Sequence, residues 1–280
     1  MGTVKKEVKE YHHPSCGIFF DADKILIEEN SVYQNIKVFE NEFYGNVLVL
    51  DGLVQTTEKD EFFYHEMLAH PALSIHPNPR DVLIIGGGDG GVLKEVLRYP
   101  VHSVRLVEID SRVLEVCKEY FSWMTPALAD KRVELVIGDG KEFLQEIKMS
   151  FDVVLVDSSE PIGPSVSLHT GEFYQSIKAR LKPGGVAAAQ VGSPFFHKMF
   201  LGRMAADLRT VFRRVAFYTG PVPTYPGGLW CYIFLSDRMI PQQVEKEIPA
   251  GLRYFNADIL RAAFALPAFV VEDVKKGMIR

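Results

Sequence analysis

The stretch DVLIIGGGDGGVLKEVL, residues 81–97, limits what this chain can fold into more than any other. A short apolar run, Val82–Ile85, enters a six-residue turn of five glycines and one aspartate, and an amphipathic run follows. Gly86, Gly88 and Gly91 satisfy the G-x-G-x-x-G pattern, with a strand before it and a helix after it as that fingerprint requires. Glycines there allow positive φ and let a ligand approach the backbone closely. Glu108 ends the next apolar run, about twenty residues after Gly86, where an acid accepts hydrogen bonds from ribose hydroxyls. The pair predicts a nucleoside ligand at the carboxyl ends of a parallel sheet.

The rest of the chain supports that frame. After residue 80, short β-branched runs at Val82–Ile85, Val104–Val107, Val133–Val136, Val153–Val156 and Val186–Ala189 alternate with amphipathic stretches, the signature of βαβ units. Further helix and two more strands, near Val215–Tyr218 and Leu229–Leu235, are expected beyond Phe195. Before residue 56 the pattern has period two, punctuated at Glu29-Asn30, Gly45-Asn46 and Asp51-Gly52, which predicts antiparallel hairpins. A helix with apolar residues on one side and an acidic start is expected over 58–70, and residues 1–15 read as polar and loosely held. The chain thus divides into an N-terminal β-hairpin domain, 1–66, and a Rossmann-like, methyltransferase-type α/β domain with a mostly parallel sheet, 67–280.

Composition narrows the function. With 280 residues and 47% hydrophobic residues, the chain can bury a sizeable core. A net charge of −5 without a basic stripe argues against a nucleic-acid partner. Three widely spaced cysteines, Cys16, Cys117 and Cys231, form neither a disulfide framework nor a zinc pattern. No His/Cys cluster has ligand spacing, so no metal is expected. No apolar run is long enough to span a bilayer, and the first residues lack the apolar core of a secretory signal, so a cytoplasmic protein without a membrane partner is expected.

Asp89, inside the glycine loop, chooses among nucleosides. Two like charges ~4 Å apart repel by about 4 kcal/mol at an effective dielectric of 20. That opposes a pyrophosphate, and with it a dehydrogenase, and favours a sulfonium nucleoside of the S-adenosylmethionine type. Asp139-Gly140 follows the third strand, where Asp139 can accept from an adenine amine, cap the next helix, or do both. The segment FDVVLVDSSEPIGP ends a strand in Asp157, with Glu160 three residues on; the pair reads as reacting carboxylates or as capping and loop residues. The connection 158–169 is long for a βα loop, and such loops are often lids.

GGGDGG, VEID (107–110), GDG (138–140), DSSEPIGP (157–164), YHEM (64–67), PTYPGGLW (223–230) and VLDGLVQTTEKDEF together resemble the spermidine synthases, the polyamine aminopropyltransferases. The resemblance covers nearly the whole chain, and the full set is highly specific. It implies transfer of an aminopropyl group from decarboxylated S-adenosylmethionine, a co-substrate and not a bound cofactor, to putrescine, giving spermidine and methylthioadenosine. By resemblance, Asp89 holds the aminopropyl amine and Glu108 the ribose. Asp139, Gly140 and Pro164 hold the adenine beside the Gly86–Gly88 turn, and Gln34 and His65 contact the nucleotide or the amine. Asp157 is the implied base and Glu160 the amine-binding acid. Tyr64 and Tyr225 flank the amine channel, where an aromatic face stabilises an ammonium by about 0.5–2 kcal/mol. For His65 and both tyrosines, packing in the core is the competing reading. Many relatives carry Asp where this chain has Glu160, which leaves the amine open among putrescine, cadaverine, agmatine and spermidine. An S-adenosylmethionine methyltransferase and a non-catalytic polyamine sensor are the other readings. The resemblance also implies a homodimer or homotetramer.

Overall fold

The computed structural model describes residues 6–159, 168–197 and 200–277. It opens with a two-stranded hairpin, β1 (Lys6–His13) and β2 (Cys16–Ala22). An antiparallel four-stranded sheet follows: β3 (Lys24–Asn30), β4 (Asn35–Asn41), β5 (Gly45–Leu50) and β6 (Leu53–Thr57). The Asp51-Gly52 signal is a true hairpin turn. Both residues have positive φ, 48° and 82°, as the primed turn matching strand twist requires.

Residues 6–13 are ordered in a strand and not loose as expected. Val8 and Glu10 turn inward, and the Glu10 carboxylate accepts the Val54 backbone N–H at 2.8 Å. A charged residue on the inner face hides the strand from a hydrophobicity reading.

Next come α1 (Glu61–Ile75), β7 (Asp81–Gly86), α2 (Gly91–Val96), β8 (Ser103–Glu108), α3 (Ser111–Tyr120), α4 (Met124–Leu128), β9 (Val133–Ile137), α5 (Gly140–Glu146) and β10 (Phe151–Asp157). The chain ends with α6 (Gly171–Arg180), β11 (Leu181–Gly192), α7 (Phe200–Val211), β12 (Arg214–Pro221), β13 (Leu229–Ser236), α8 (Ala257–Ala263) and α9 (Ala268–Gly277). The strands from β7 onward form a seven-stranded sheet of order β12-β13-β11-β10-β7-β8-β9. Its first two pairings are antiparallel and the rest parallel. The chain switches direction about β7, with β8 on one side and β10 on the other, and the cleft outside such strand ends is where this architecture binds ligands.

Helix α1 departs from the amphipathic helix expected over 58–70. It runs on through Pro71, and all but one of its residues are buried. It lies on the sheet in one core cluster with Ile36, Val38 and Leu48 of the N-terminal sheet and Val82, Ile84 and Val153 of the parallel strands. Its buried acids and histidines each have a partner distant in sequence. Glu66 accepts three consecutive backbone N–H groups, from Arg253, Tyr254 and Phe255, at 2.9, 2.9 and 2.7 Å. His70 bonds Glu95 and Tyr99, each at 3.1 Å. No helix of the described residues is long and apolar enough to cross a membrane.

Candidate active site

A cleft of about 1230 Å³, its mouth included, opens at the carboxyl ends of β7, β8 and β10. Gly86, Gly88, Asp89, Glu108, Asp139 and Gly140 lie on one wall, with Gln34 from the β3–β4 turn. Tyr64, Asp157 and Tyr225 lie on the other. The sequence therefore places ten of its proposed site residues in one cavity. His65 is set one layer back, 1% exposed, behind Asp89. Glu160 and Pro164, and most of the 158–169 loop, lie outside the described residues.

The backbone fixes the first wall. Gly86 has φ +79°, and a Cβ on it would stand 2.1 Å from the Asp157 carbonyl oxygen, so only glycine lets β7 and β10 close this tightly at the cleft. The Gly87 N–H donates to that same carbonyl at 2.8 Å. At the end of β8, Glu108 takes the Asp110 N–H at 2.9 Å. Burial, chiefly, with the nearby Asp110 and Asp157, pushes its carboxyl up to about 7. A ribose diol donating to it would restore the charged form. Asp110 accepts from Ser31 Oγ at 2.6 Å and from Gln34 Nε2 at 3.0 Å, which pins Gln34 to the rim. Asp139 Oδ1 accepts from the N–H groups of Lys141 and Glu142 at 2.7 and 3.0 Å. Asp139 is thus both a helix cap and part of the cleft wall, as the two readings allowed.

Side chains fix the second wall. The Tyr64 hydroxyl donates to Asp157 Oδ1 at 2.6 Å. Burial and the adjacent carboxylate push the Tyr64 phenol well above its ordinary range, so it stays a donor. Tyr225 stands beside Tyr64, ring centroids 5.5 Å apart, and donates its hydroxyl to the Gln55 carbonyl. Both tyrosines are thus packed and still face the cleft.

The two cleft aspartates are driven in opposite directions. Burial, and then the charge of Asp89, pushes Asp157 up to about 7, against the opposing pull of His65 and Tyr64. Asp89 is also buried, but His65 beside it and the Gly91 N–H hold its carboxyl below the ordinary carboxylate value. The proximal pair is short: His65 Nε2 to Asp89 Oδ2 is 3.0 Å. Offered atoms of His65, Asp89 and Asp157 all lie within 4.8 Å of one another, a spacing a metal ion could use. Both imidazole nitrogens are already engaged, however, one by Glu61 and one by Asp89. The trio suits an organic cation at the carboxylates better than a metal on the ring.

Several cleft residues escaped the sequence reading. Gln190, at the end of β11, donates Nε2 to the carbonyls of Ser158 and Ser159 at 2.7 and 3.3 Å, holding the chain just after Asp157. A lone polar residue in the run VAAAQV, at a carboxyl strand end, was the available signal. Trp230 packs on Tyr225 with centroids 4.7 Å apart, and Glu10 reaches the same cleft from β1. Asp60 accepts from the Thr224 N–H and hydroxyl at 3.0 and 2.8 Å, which ties the loop bearing Tyr225 to the start of α1.

The fold is that of the Rossmann-like, methyltransferase-type α/β proteins, preceded by small antiparallel sheets. Residues 61–246 match the spermine/spermidine synthase domain, and residues 8–58 match the spermidine synthase tetramerisation domain. A polyamine aminopropyltransferase of Moorella thermoacetica is 43% identical over 266 residues, 94% of each chain. One of Bacillus mycoides is 43% identical over 275 residues, 97% of this chain and 98% of the relative. A spermidine synthase crystallised with the transition state analogue AdoDATO superposes with a TM-score of 0.91 at 37% identity, covering 99% of this chain and 97% of that one. The spermidine synthase of Thermotoga maritima superposes with a TM-score of 0.89, also at 37% identity, covering 99% and 96%. The chain belongs to the spermine/spermidine synthase family, the polyamine aminopropyltransferases.

Proposed function

We propose that this cleft transfers the aminopropyl group of decarboxylated S-adenosylmethionine to putrescine, forming spermidine and methylthioadenosine. The carrying observation is the pair of carboxylates at one cleft end, with Asp89 held ionised and Asp157 poised near neutrality. Two acids whose surroundings push their proton affinities apart mark a division of labour. Asp89, backed by His65, holds the aminopropyl ammonium and repels a donor that keeps its carboxylate. Glu108 and Gln34 hold the ribose. Asp139 and Gly140 hold the adenine, with Pro164. Tyr64 and Tyr225 border the amine, and Glu160 binds it from the loop.

In the reaction, the lone pair of the acceptor nitrogen attacks the methylene bonded to sulfur. The C–S bond breaks, its electrons stay on sulfur, and the sulfonium becomes a neutral thioether. The acceptor must first lose a proton, and Asp157 receives it. An alkylammonium releases its proton near pH 10.4, while Asp157 in the ligand-free cleft holds one up to about 7. That gap corresponds to roughly 4–5 kcal/mol, about half of what an ordinary carboxylate would face. The sulfonium and ammonium of the donor lower the proton affinities of the acceptor and of Asp157 alike, so the gap stays of this size. Positioning for in-line displacement supplies the remainder.

AdoDATO bound to a near structural neighbour supports a nucleoside donor in this cleft. The tetramerisation-type N-terminal segment supports a homo-oligomer, and a biosynthetic transferase of this kind fits the cytoplasm. The test supplies decarboxylated and ordinary S-adenosylmethionine with putrescine, cadaverine, agmatine and spermidine, and identifies products by mass. Aminopropylated putrescine with methylthioadenosine is expected. A methylated product, or no product from any pairing, would remove the assignment.

A further inference from the structure

Glu61 has no place in the scheme so far. It is 7% exposed, lies at the start of α1, and is absent from the cleft wall. A carboxylate is costly to bury unless it is paired. Glu61 is paired twice: Oε2 lies 2.7 Å from His65 Nδ1, and Oε1 takes Lys94 Nζ at 2.7 Å. The first contact spans one helical turn, the spacing that stacks side chains on a helix face. His65 passes the connection to Asp89 through its other nitrogen. The result is a line of alternating charge, Lys94–Glu61–His65–Asp89, buried at its two middle members, that starts at a part-exposed lysine and ends at the cleft.

We propose that Glu61 is a positioning residue for group transfer: anchored by Lys94, it fixes the orientation and the charge of His65, and through His65 the two carboxylates at the reacting end. This rests on the roles given above to Asp89 and Asp157. A neutral imidazole carries one N–H, so with a carboxylate on each nitrogen one carboxylate would face a bare lone pair. Only the imidazolium donates to both. Burial disfavours the cation, but Asp89 and Glu61 outweigh it and hold the ring protonated up to about 10. The ring also packs against main chain. A Cβ on Gly91 would stand 2.0 Å from it, so the last glycine of GGGDGG is the floor against which the imidazole rests.

Other ionisable groups share this neighbourhood. Lys94 and Glu95 approach from α2, 3.5 Å from each other. Cys117 of α3 lies near Asp89 and Glu108, and Glu108 of β8 near Asp157. Asp157 is also flanked by Tyr64, Tyr225 and Tyr232. Among these, His65 and Lys94 are the cations, and His65 is the one within 4.8 Å of Asp157. The imidazolium eases ionisation of Asp157. Without it, two acids face each other and Asp157 keeps its proton to higher pH.

The test reads the ring directly. Protein carrying ¹⁵N-histidine is titrated by NMR, with the His65 signals assigned by their loss in His65→Gln, and pH–rate profiles are taken on the same variants. In the unaltered protein, both His65 nitrogens should stay protonated through pH 8. In Glu61→Gln, one should be bare at that pH. The acid limb of kcat/KM should then move up by about one pH unit, with kcat at neutral pH about tenfold lower. Glu61→Asp, which keeps the charge, should return both readings most of the way. A neutral His65 in the unaltered protein at pH 7.5 overturns the proposal, whether or not Glu61→Gln folds. So does a Glu61→Gln variant that loses thermal stability without moving the limb. The titration needs no turnover: a cationic His65 in a protein that transfers no aminopropyl group would defeat the proposed reaction and leave the assignment of Glu61's charge-setting contact standing.

Discussion

The two walls of the cleft are built by different means. The wall assigned to the nucleoside comes from the ends of three neighbouring strands, β7, β8 and β9, and the turns that follow them. Its shape is set mainly by main chain, with positive-φ glycines, a carbonyl bonded across strands and a helix cap; its side-chain ties are those of Gln34 to Asp110 and of Asp89 to His65. The wall assigned to the amine gathers Tyr64 from α1, Asp157 from β10, Gln190 from β11, and Tyr225 and Trp230 from around β13. Its shape is set by side-chain hydrogen bonds between elements far apart in sequence. On the proposed roles, conservative changes on the amine wall should alter the chemistry while leaving donor binding intact.

The largest expected effect tests that separation directly. Asp157→Asn should lower kcat by about 10²–10⁴, the range for a positioned acid or base, while calorimetric affinity for methylthioadenosine stays within a few-fold. High pH should partly rescue it by supplying neutral amine from solution. If donor affinity falls in step with kcat, the walls are not independent. The same substitution should stabilise the ligand-free protein. Because the folded-state value of Asp157 is raised to about 7, the folded chain holds a proton that the unfolded chain has released above about pH 4. The penalty is absent in acid, grows as pH rises from about 4 to about 7, and is constant above that. The stability gap between variant and unaltered protein should therefore open from near zero below pH 4 to on the order of 4 kcal/mol at pH 7–8, read by denaturant unfolding.

On the nucleoside wall, Asp89→Asn should weaken decarboxylated S-adenosylmethionine by about 10–100-fold, the worth of a charged hydrogen bond. Methylthioadenosine, which has no ammonium, should bind almost as before; equal losses in calorimetry would mean that Asp89 shapes the loop and does not hold the amine. The smallest effect should come from Tyr64→Phe. Its hydroxyl favours ionised Asp157, so its removal should shift the acid limb of kcat/KM upward and lower kcat several-fold. An unmoved limb would reduce Tyr64 to a wall of the amine channel.

The same contrast explains what the sequence disclosed. Gly86, Gly88, Asp89 and Glu108 were legible because turn chemistry and strand ends are local facts. Asp157 was legible because it ends an apolar run. Helix α1 was misread as one-sided because Glu61, His65, Glu66 and His70 look like solvent residues, and each is buried only by a partner that folding brings to it. Strand β1 was missed for the same reason, its inward Glu10 being satisfied by the Val54 amide. The tilt of Asp157 toward neutrality could not be read from a motif at all, since it depends on burial and on Asp89 arriving from another strand.

Three successive residues of α1 point about 100° apart and serve three different neighbours. Tyr64 reaches β10, His65 reaches the glycine loop, and Glu66 reaches the amides of residues 253–255. The helix is thus an axle with three keyed spokes. Sliding it by one residue would seat none of them, so this segment tolerates exchange of side chains far better than any change in its length, and the backbone at 253–255 is geared to Asp157 and Asp89 through a helix whose rotation is locked.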